Sequence, residues 1–265
     1  SQRLQALKRR KHMKKTVVFL TTPTSATASM WRIITTIAEG EYDCVRYTDS
    51  FYVNNNLEDL KKSSPPEEDA VILFNVPTHF NKNIDVTKYK FICNIRDPRD
   101  LVCNQYHWFF QHPAASMSAE ELERQREAVR QKGINQYALE KDNTAVVKSV
   151  IDVYNKANPE DRLLATYALL CLEFDLYLEK VASFLGVRLT PEMRAKLEIE
   201  RTETLSLNIN RKWIGAQWSG SDTSPGRFAN ELSNETVAVL NEKYKEVLNF
   251  MYLSDDPTVC ITYSA

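Results

Sequence analysis

Apolar positions along the chain follow two rhythms. Short continuous runs, Thr16 to Leu20, Ala70 to Asn75 and Tyr89 to Ile95, read as strands buried on both faces of a parallel sheet. Asp43 to Thr48 and Arg162 to Ala168 are further strand candidates. Between and after these runs, apolar residues recur at the spacing of one helix face: Met30, Ile33, Ile34 and Ile37, then Val147, Val150, Ile151 and Tyr154. Strands alternating with helices predict an α/β fold built in layers.

The helix boundaries carry their own signals. Ser118 with Glu121 three residues on is a capping box, opening a charged helix that runs toward Lys132-Gly133. Leu172 to Leu185 reads as a helix closed by Gly186, and Thr190-Pro191 opens another with proline in its first turn. Asn234 to Leu248 is a last amphipathic helix. Polar residues 51–66, with the Asn54-Asn55-Asn56 run and the Ser63-Ser64-Pro65-Pro66 breaker, read as loop plus a short helix around Leu57 to Lys62. A second loop, 211–228, carries Arg211, Lys212, Trp213, Trp218, Gly226 and Arg227, which suits either a flap over a ligand or a solvated surface. Residues 1–15 read as a basic leader or linker, and 16–265 as one domain.

Composition narrows the function classes. The 265 residues are 43% hydrophobic and 26% charged, enough for one sizeable core. A formal net charge of -1 gives no general attraction to nucleic acid or membrane, so any cationic site has to be local. The five cysteines are scattered without CxxC or metal spacing, and Cys93, Cys103 and Cys171 lie in apolar or amphipathic runs, as buried free thiols do. A reducing, cytoplasmic setting and no metal are expected. No apolar run approaches the ~20 residues of a membrane span.

Two stretches carry candidate chemistry. Residues 16–37 are a strand, a tight turn and a helix; small side chains from Thr24 to Ser29 allow close backbone approach, and the first helical N–H groups point outward with the positive end of the macrodipole. An anion fits there, although an ordinary Ser/Thr-capped connection has the same composition. The glycines and lysine of the common nucleotide-triphosphate loop are missing, which argues against a P-loop kinase. The second stretch is Arg96-Asp97-Pro98-Arg99-Asp100, directly after a predicted strand. Pro98 suits the first turn of a helix with Leu101, Asn104, Gln105 and Trp108 on one face. Arg96 is then at a strand end, where open α/β sheets bind ligands, and either reaches an anion with its fork or pairs with Asp97 or Asp100. His79 follows the Ala70 to Asn75 run, as a structural histidine or a general base.

In this order the blocks resemble the cytosolic-type sulfotransferases that use 3'-phosphoadenosine 5'-phosphosulfate (PAPS). Arg96 through His107 resembles the family's 3'-phosphate block, and Pro23-Thr24-Ser25-Ala26-Thr27 a weakened 5'-phosphosulfate loop. Tyr167, the leucine-rich stretch after it and Phe184-Leu185-Gly186-Val187 are similar to further family segments; so are Gly226-Arg227-Phe228 with Leu232, and Val76-Pro77-Thr78-His79. The resemblance implies a P-loop-like three-layer sandwich, with a central, mostly parallel sheet flanked by helices. It also implies sulfuryl transfer from PAPS to a hydroxyl or amine of a small-molecule or carbohydrate acceptor, with 3'-phosphoadenosine 5'-phosphate (PAP) as product. Thr24, Ser25, Ala26, Thr27 and Ala28 would surround the 5'-phosphosulfate. Arg96, Asn104, Gly226 and Arg227 would hold the 3'-phosphate, Tyr167 would lie near adenine, and His79 would be the general base.

The departures bear on chemistry. Thr24 replaces the 5'-site lysine or arginine, Ala26 a glycine, Ala28 a threonine, Asn104 a serine and Pro77 a lysine, while Ala168 and Leu169 replace Glu and Asp. Lys82, Arg211 and Lys212 are the cations that could replace the charge missing at Thr24; Arg32 is turned away on its helix. The chain is then either a divergent enzyme or a non-catalytic nucleotide-binding or scaffold module. Trp108, Phe109 and Phe110 suit an acceptor wall or core packing equally.

Overall fold

The computed structural model describes residues 14–42, 44–46, 67–74, 77–80, 83–111, 117–201, 224–254 and 259–260. Strands β1 (Val17–Thr21), β2 (Cys44–Arg46), β3 (Ala70–Phe74), β4 (Lys90–Asn94), β5 (Arg162–Ala165) and β6 (Val259–Cys260) form one sheet in the order β2-β3-β1-β4-β5-β6. All its pairings are parallel. Thr21 lies opposite Asn94 and Leu20 opposite Phe74, so the three central strands end almost level.

Continuous apolar runs form these strands because both faces are covered. On one face Val17, Phe19, Val71 and Leu73 meet Met30, Ile33, Ile34 and Ile37 of α1 (Thr27–Ala38). The other face, with Val18, Leu20, Ile72 and Phe91, packs on Val147, Val150 and Tyr154 of α4 (Thr144–Lys156). Helix, sheet, helix is the expected three-layer order. In chain order α2 (Pro98–Gln111) and α3 (Ala119–Glu140) come between α1 and α4, and after them α5 (Tyr167–Leu172), α6 (Phe174–Leu185), α7 (Pro191–Leu197), α8 (Phe228–Glu231), α9 (Asn234–Lys243) and α10 (Lys245–Leu253). A third cluster, with Val102, Cys103, Ala138, Leu240 and Tyr244, joins α2, α3 and α9 beside the sheet.

The capping signals act as read: Ser118 Oγ accepts from the Glu121 N–H, Thr190 Oγ1 from that of Met193, and Gly186 ends α6 at φ 69. Four boundaries differ. The strand expected to reach Ala168 stops at Ala165, because Thr166 turns its hydroxyl onto the Leu169 N–H and caps α5. Glu173, at φ -136, separates α5 from α6. Gly133 interrupts the charged helix at φ 73 and ψ 168, yet the chain resumes helix to Glu140. The last helix is divided at Tyr244, whose buried ring belongs to the third cluster and whose hydroxyl accepts from the Asn143 N–H. The expected helix at Leu57 to Lys62 lies outside the described residues. Cys93 and Cys103 are buried free thiols, and Cys171 is a half-buried one. No helix among the described residues is long and apolar enough to cross a membrane.

Candidate functional site

Parallel strands put all their carboxyl ends on one edge, and the order of the sheet makes β3, β1, β4 and β5 neighbours there. The segments that follow them therefore stand side by side: the turn Pro77–His79, the loop 22–26, Arg96 and Tyr167. The chain reverses its direction of travel across the sheet beside β1, and such a switch point opens a crevice for ligands.

The loop after β1 is braced from β4. The Thr22 N–H donates to the Asn94 carbonyl (3.1 Å), and Asn94 Nδ2 donates to Thr21 Oγ1 and to the Ser25 carbonyl, both at 2.8 Å. Thr24 and Ala26 adopt φ 55 and 57, in the left-handed region that favours glycine. Each such residue costs on the order of 1 kcal/mol or more. Thr24 is compensated, since its carbonyl accepts from Arg96 Nη1 (3.0 Å) and Asn104 Nδ2 (3.2 Å). Ala26 caps α1 without a side-chain acceptor, so the Ser/Thr-capped alternative does not hold and the first-turn N–H groups have no capping side chain. Arg32 is indeed turned away, its guanidinium bound to the buried Glu200 through Nε (2.6 Å) and Nη2 (2.9 Å).

Arg96 is 2% exposed, and its guanidinium lies 4.0 Å from the centroid of the Tyr167 ring. Tyr167 is thus a platform for Arg96; burial pushes its phenol up from the usual range, and the hydroxyl bonds to the Cys171 thiol. The two acids that follow Arg96 also hold other segments. Asp97 takes a forked bond from Arg99 (3.0 and 2.6 Å) and one from the Tyr252 hydroxyl (2.6 Å). Asp100 accepts from the N–H groups of Gly226 (2.7 Å) and Phe228 (3.1 Å).

Asp100 therefore clamps the late segment onto α2, with Gly226 at φ 87 making the turn that glycine permits. Between the clamped residues, Arg227 is 1% exposed. Its Nε donates to Glu231 Oε1 (2.6 Å), while Nη1 is buried with no hydrogen-bond partner among the described residues. The charges of Arg227 and Arg96 both act on the buried Cys103 thiol of α2.

His79 ends the turn after β3, which is anchored by Phe80 packed edge-on against Phe74 (5.3 Å) and Phe91 (5.7 Å). The His79 side chain, His112, Lys82, Arg211, Lys212, Trp213 and Trp218 lie outside the described residues. His107 is bound to Glu231 (2.8 Å). Tyr106 stacks edge-on with Phe110 (5.1 Å) and with Tyr137 of α3 (5.5 Å), so that part of the aromatic run packs helix on helix. Sequence reasoning missed Asn94 and Glu231. Asn94 is the one amide of its apolar strand run and Glu231 lies four residues after Arg227, both usable signals; the bond of Glu231 to His107, 124 positions away, had none.

A profile of the sulfotransferase domain matches residues 11–212 of the chain. The fold superposes on mouse sulfotransferase SULT7A1 complexed with PAP at a TM-score of 0.59, with 17% identity, over 92% of this chain and 88% of that one. It superposes on retinol dehydratase in complex with androsterone and the inactive cofactor PAP at 0.54, with 16% identity, over 88% and 80%. At such identities the likeness speaks for the fold. No curated protein sequence matches the chain.

The Asp100 clamp has a pH signature. Burial, then the charge of Asp97, pushes its carboxyl up to about 6, against the opposing pull of Arg96 and the two N–H bonds. The folded group keeps its proton to about pH 6 and the unfolded one only to 3.8, so in that window rising pH favours the unfolded state. From about pH 4 to about pH 7 the parent should lose stability relative to Asp100→Asn, by about 3 kcal/mol, in paired denaturant melts. A difference that stays constant with pH would mean that Asp100 titrates as an ordinary carboxyl.

Proposed function

The chain belongs to the sulfotransferase domain family, so sulfuryl transfer is its reaction class, and we propose PAPS as the donor and a hydroxyl or amine of a small-molecule or carbohydrate as the acceptor. The observation that carries this reading is the meeting of three separate segments. Arg96 and Asn104 both bond the Thr24 carbonyl of the loop after β1, and Asp100 of the same α2 region holds the segment that carries buried Arg227. Arg96 and Arg227, both buried at the open edge of a parallel sheet, form a local cationic site that suits a bound anion. The unpartnered Nη1 of Arg227 fits that reading.

In this assignment the N–H groups of Ser25 to Ala28 and the Ser25 and Thr27 hydroxyls hold the 5'-phosphosulfate. Arg96, Asn104 and Arg227 hold the 3'-phosphate, and Tyr167 backs Arg96 near the adenine. The donor supplies the sulfuryl group. The protein places it and balances charge on its oxygens, which for such transfers is most of the catalysis. His79, at the end of the neighbouring turn, accepts the proton of the acceptor hydroxyl. Retinol dehydratase binds androsterone, so a small apolar alcohol belongs first in an acceptor panel.

The non-catalytic reading draws on Thr24, whose buried hydroxyl cannot supply the charge of a lysine. Nucleotide binding without turnover over a broad acceptor panel would favour it.

Two substitutions separate the roles. Arg96→Ala should weaken binding of adenosine 3',5'-bisphosphate by about 1.5–3 kcal/mol, and that of adenosine 5'-monophosphate much less. Equal losses would show that Arg96 does not read the 3'-phosphate. His79→Ala should leave nucleotide affinity nearly unchanged while turnover falls on the order of 100-fold or more. Turnover at the parent rate would remove His79 from the mechanism.

A further inference from the structure

Resting on the donor site proposed above, we infer that Glu231, held in turn by His107, is the positioning residue that aims Arg227 at the 3'-phosphate. Arg227 immediately precedes α8, and Glu231 lies one turn further along the same face. Its two oxygens have separate tasks. Oε1 accepts from Arg227 Nε at 2.6 Å and is in ionic contact with Nη2, also at 2.6 Å. Oε2 is 2.8 Å from Nε2 of His107, on α2. The carboxylate is therefore fixed from two elements at once, and a flexible arginine side chain is reduced to one orientation.

That orientation spends one edge of the guanidinium on Glu231 and leaves Nη1 buried without a hydrogen-bond partner among the described residues. A buried donor left so is costly, and an anion of the bound nucleotide would relieve it. Backbone and side chain are set separately: Asp100 holds the N–H groups of Gly226 and Phe228 on either side, and Glu231 holds the guanidinium. Burial raises the proton affinity of Glu231, but the His107 bond and the Arg227 charge outweigh it and keep the carboxyl below its usual range. Glu231 thus stays ionised where it is needed. His107 has a role in this arrangement that is neither base nor acceptor contact.

The test is titration calorimetry with adenosine 3',5'-bisphosphate and with adenosine 5'-monophosphate, on the parent, Glu231→Ala, Arg227→Gln and the double variant. Glu231→Ala should weaken the bisphosphate about tenfold or more while leaving the monophosphate within about twofold, and should add nothing further in the Arg227→Gln background. Equal weakening of both ligands, or an undiminished effect without Arg227, would overturn the positioning role. Should Glu231→Ala fail to fold, Glu231→Gln and His107→Gln carry the comparison, each expected to give a smaller loss confined to the bisphosphate. A parent that binds neither nucleotide would sink the donor site and this role together; a parent that binds while the Glu231 variants match it would sink this role alone.

Discussion

A guanidinium at 2% exposure is the constraint on which the rest of this edge depends. Arginine cannot shed its charge, so Arg96 must be solvated by the protein itself. Its partners come from different strand ends: the Thr24 carbonyl from the loop after β1, and the Tyr167 face from the start of α5 after β5. The left-handed turn at Thr24 is tolerable because it delivers that carbonyl to Arg96 and Asn104. The loop after β1 and the start of α5 thus meet at one buried cation.

The residues after Arg96 spread the same logic outward. Asp97 and Arg99 form a buried fork that Tyr252 and Asn241 complete, tying α10 and α9 to the start of α2. Asp100 reaches the late segment and fixes Arg227 near Arg96. Five consecutive residues thereby join the central loop, the C-terminal helices and the late turn. This gathers the guanidiniums of Arg96, Arg99 and Arg227 at one edge beside the carboxyl groups of Asp97, Asp100 and Glu231, so positive charge there is directed by hydrogen bonds rather than present as a net excess.

The sheet and much of the site were legible in the sequence because burial on both faces leaves a continuous apolar run, as in Ala70–Phe74, and a strand-end arginine after such a run has few structural uses. Several features were not legible, for physical reasons. Ala26 as the cap of α1 depends on a backbone turn that its side chain does not advertise. The break at Tyr244 follows from tertiary burial of the ring within good helix-forming sequence. Thr166 suits a strand and a cap alike, and only its bond to Leu169 decides. Glu231 acquires its role from His107, 124 positions away, a pairing no local pattern encodes.

The central claim is that the buried cations of this edge read a nucleotide bearing both a 3'- and a 5'-phosphate. Calorimetric titration of the unaltered protein with adenosine 3',5'-bisphosphate, beside adenosine 5'-monophosphate, tests it without knowledge of the acceptor. The account predicts saturable binding of one bisphosphate per chain, tighter than the monophosphate by about tenfold or more. No binding, or equal affinity for the two nucleotides, would contradict it.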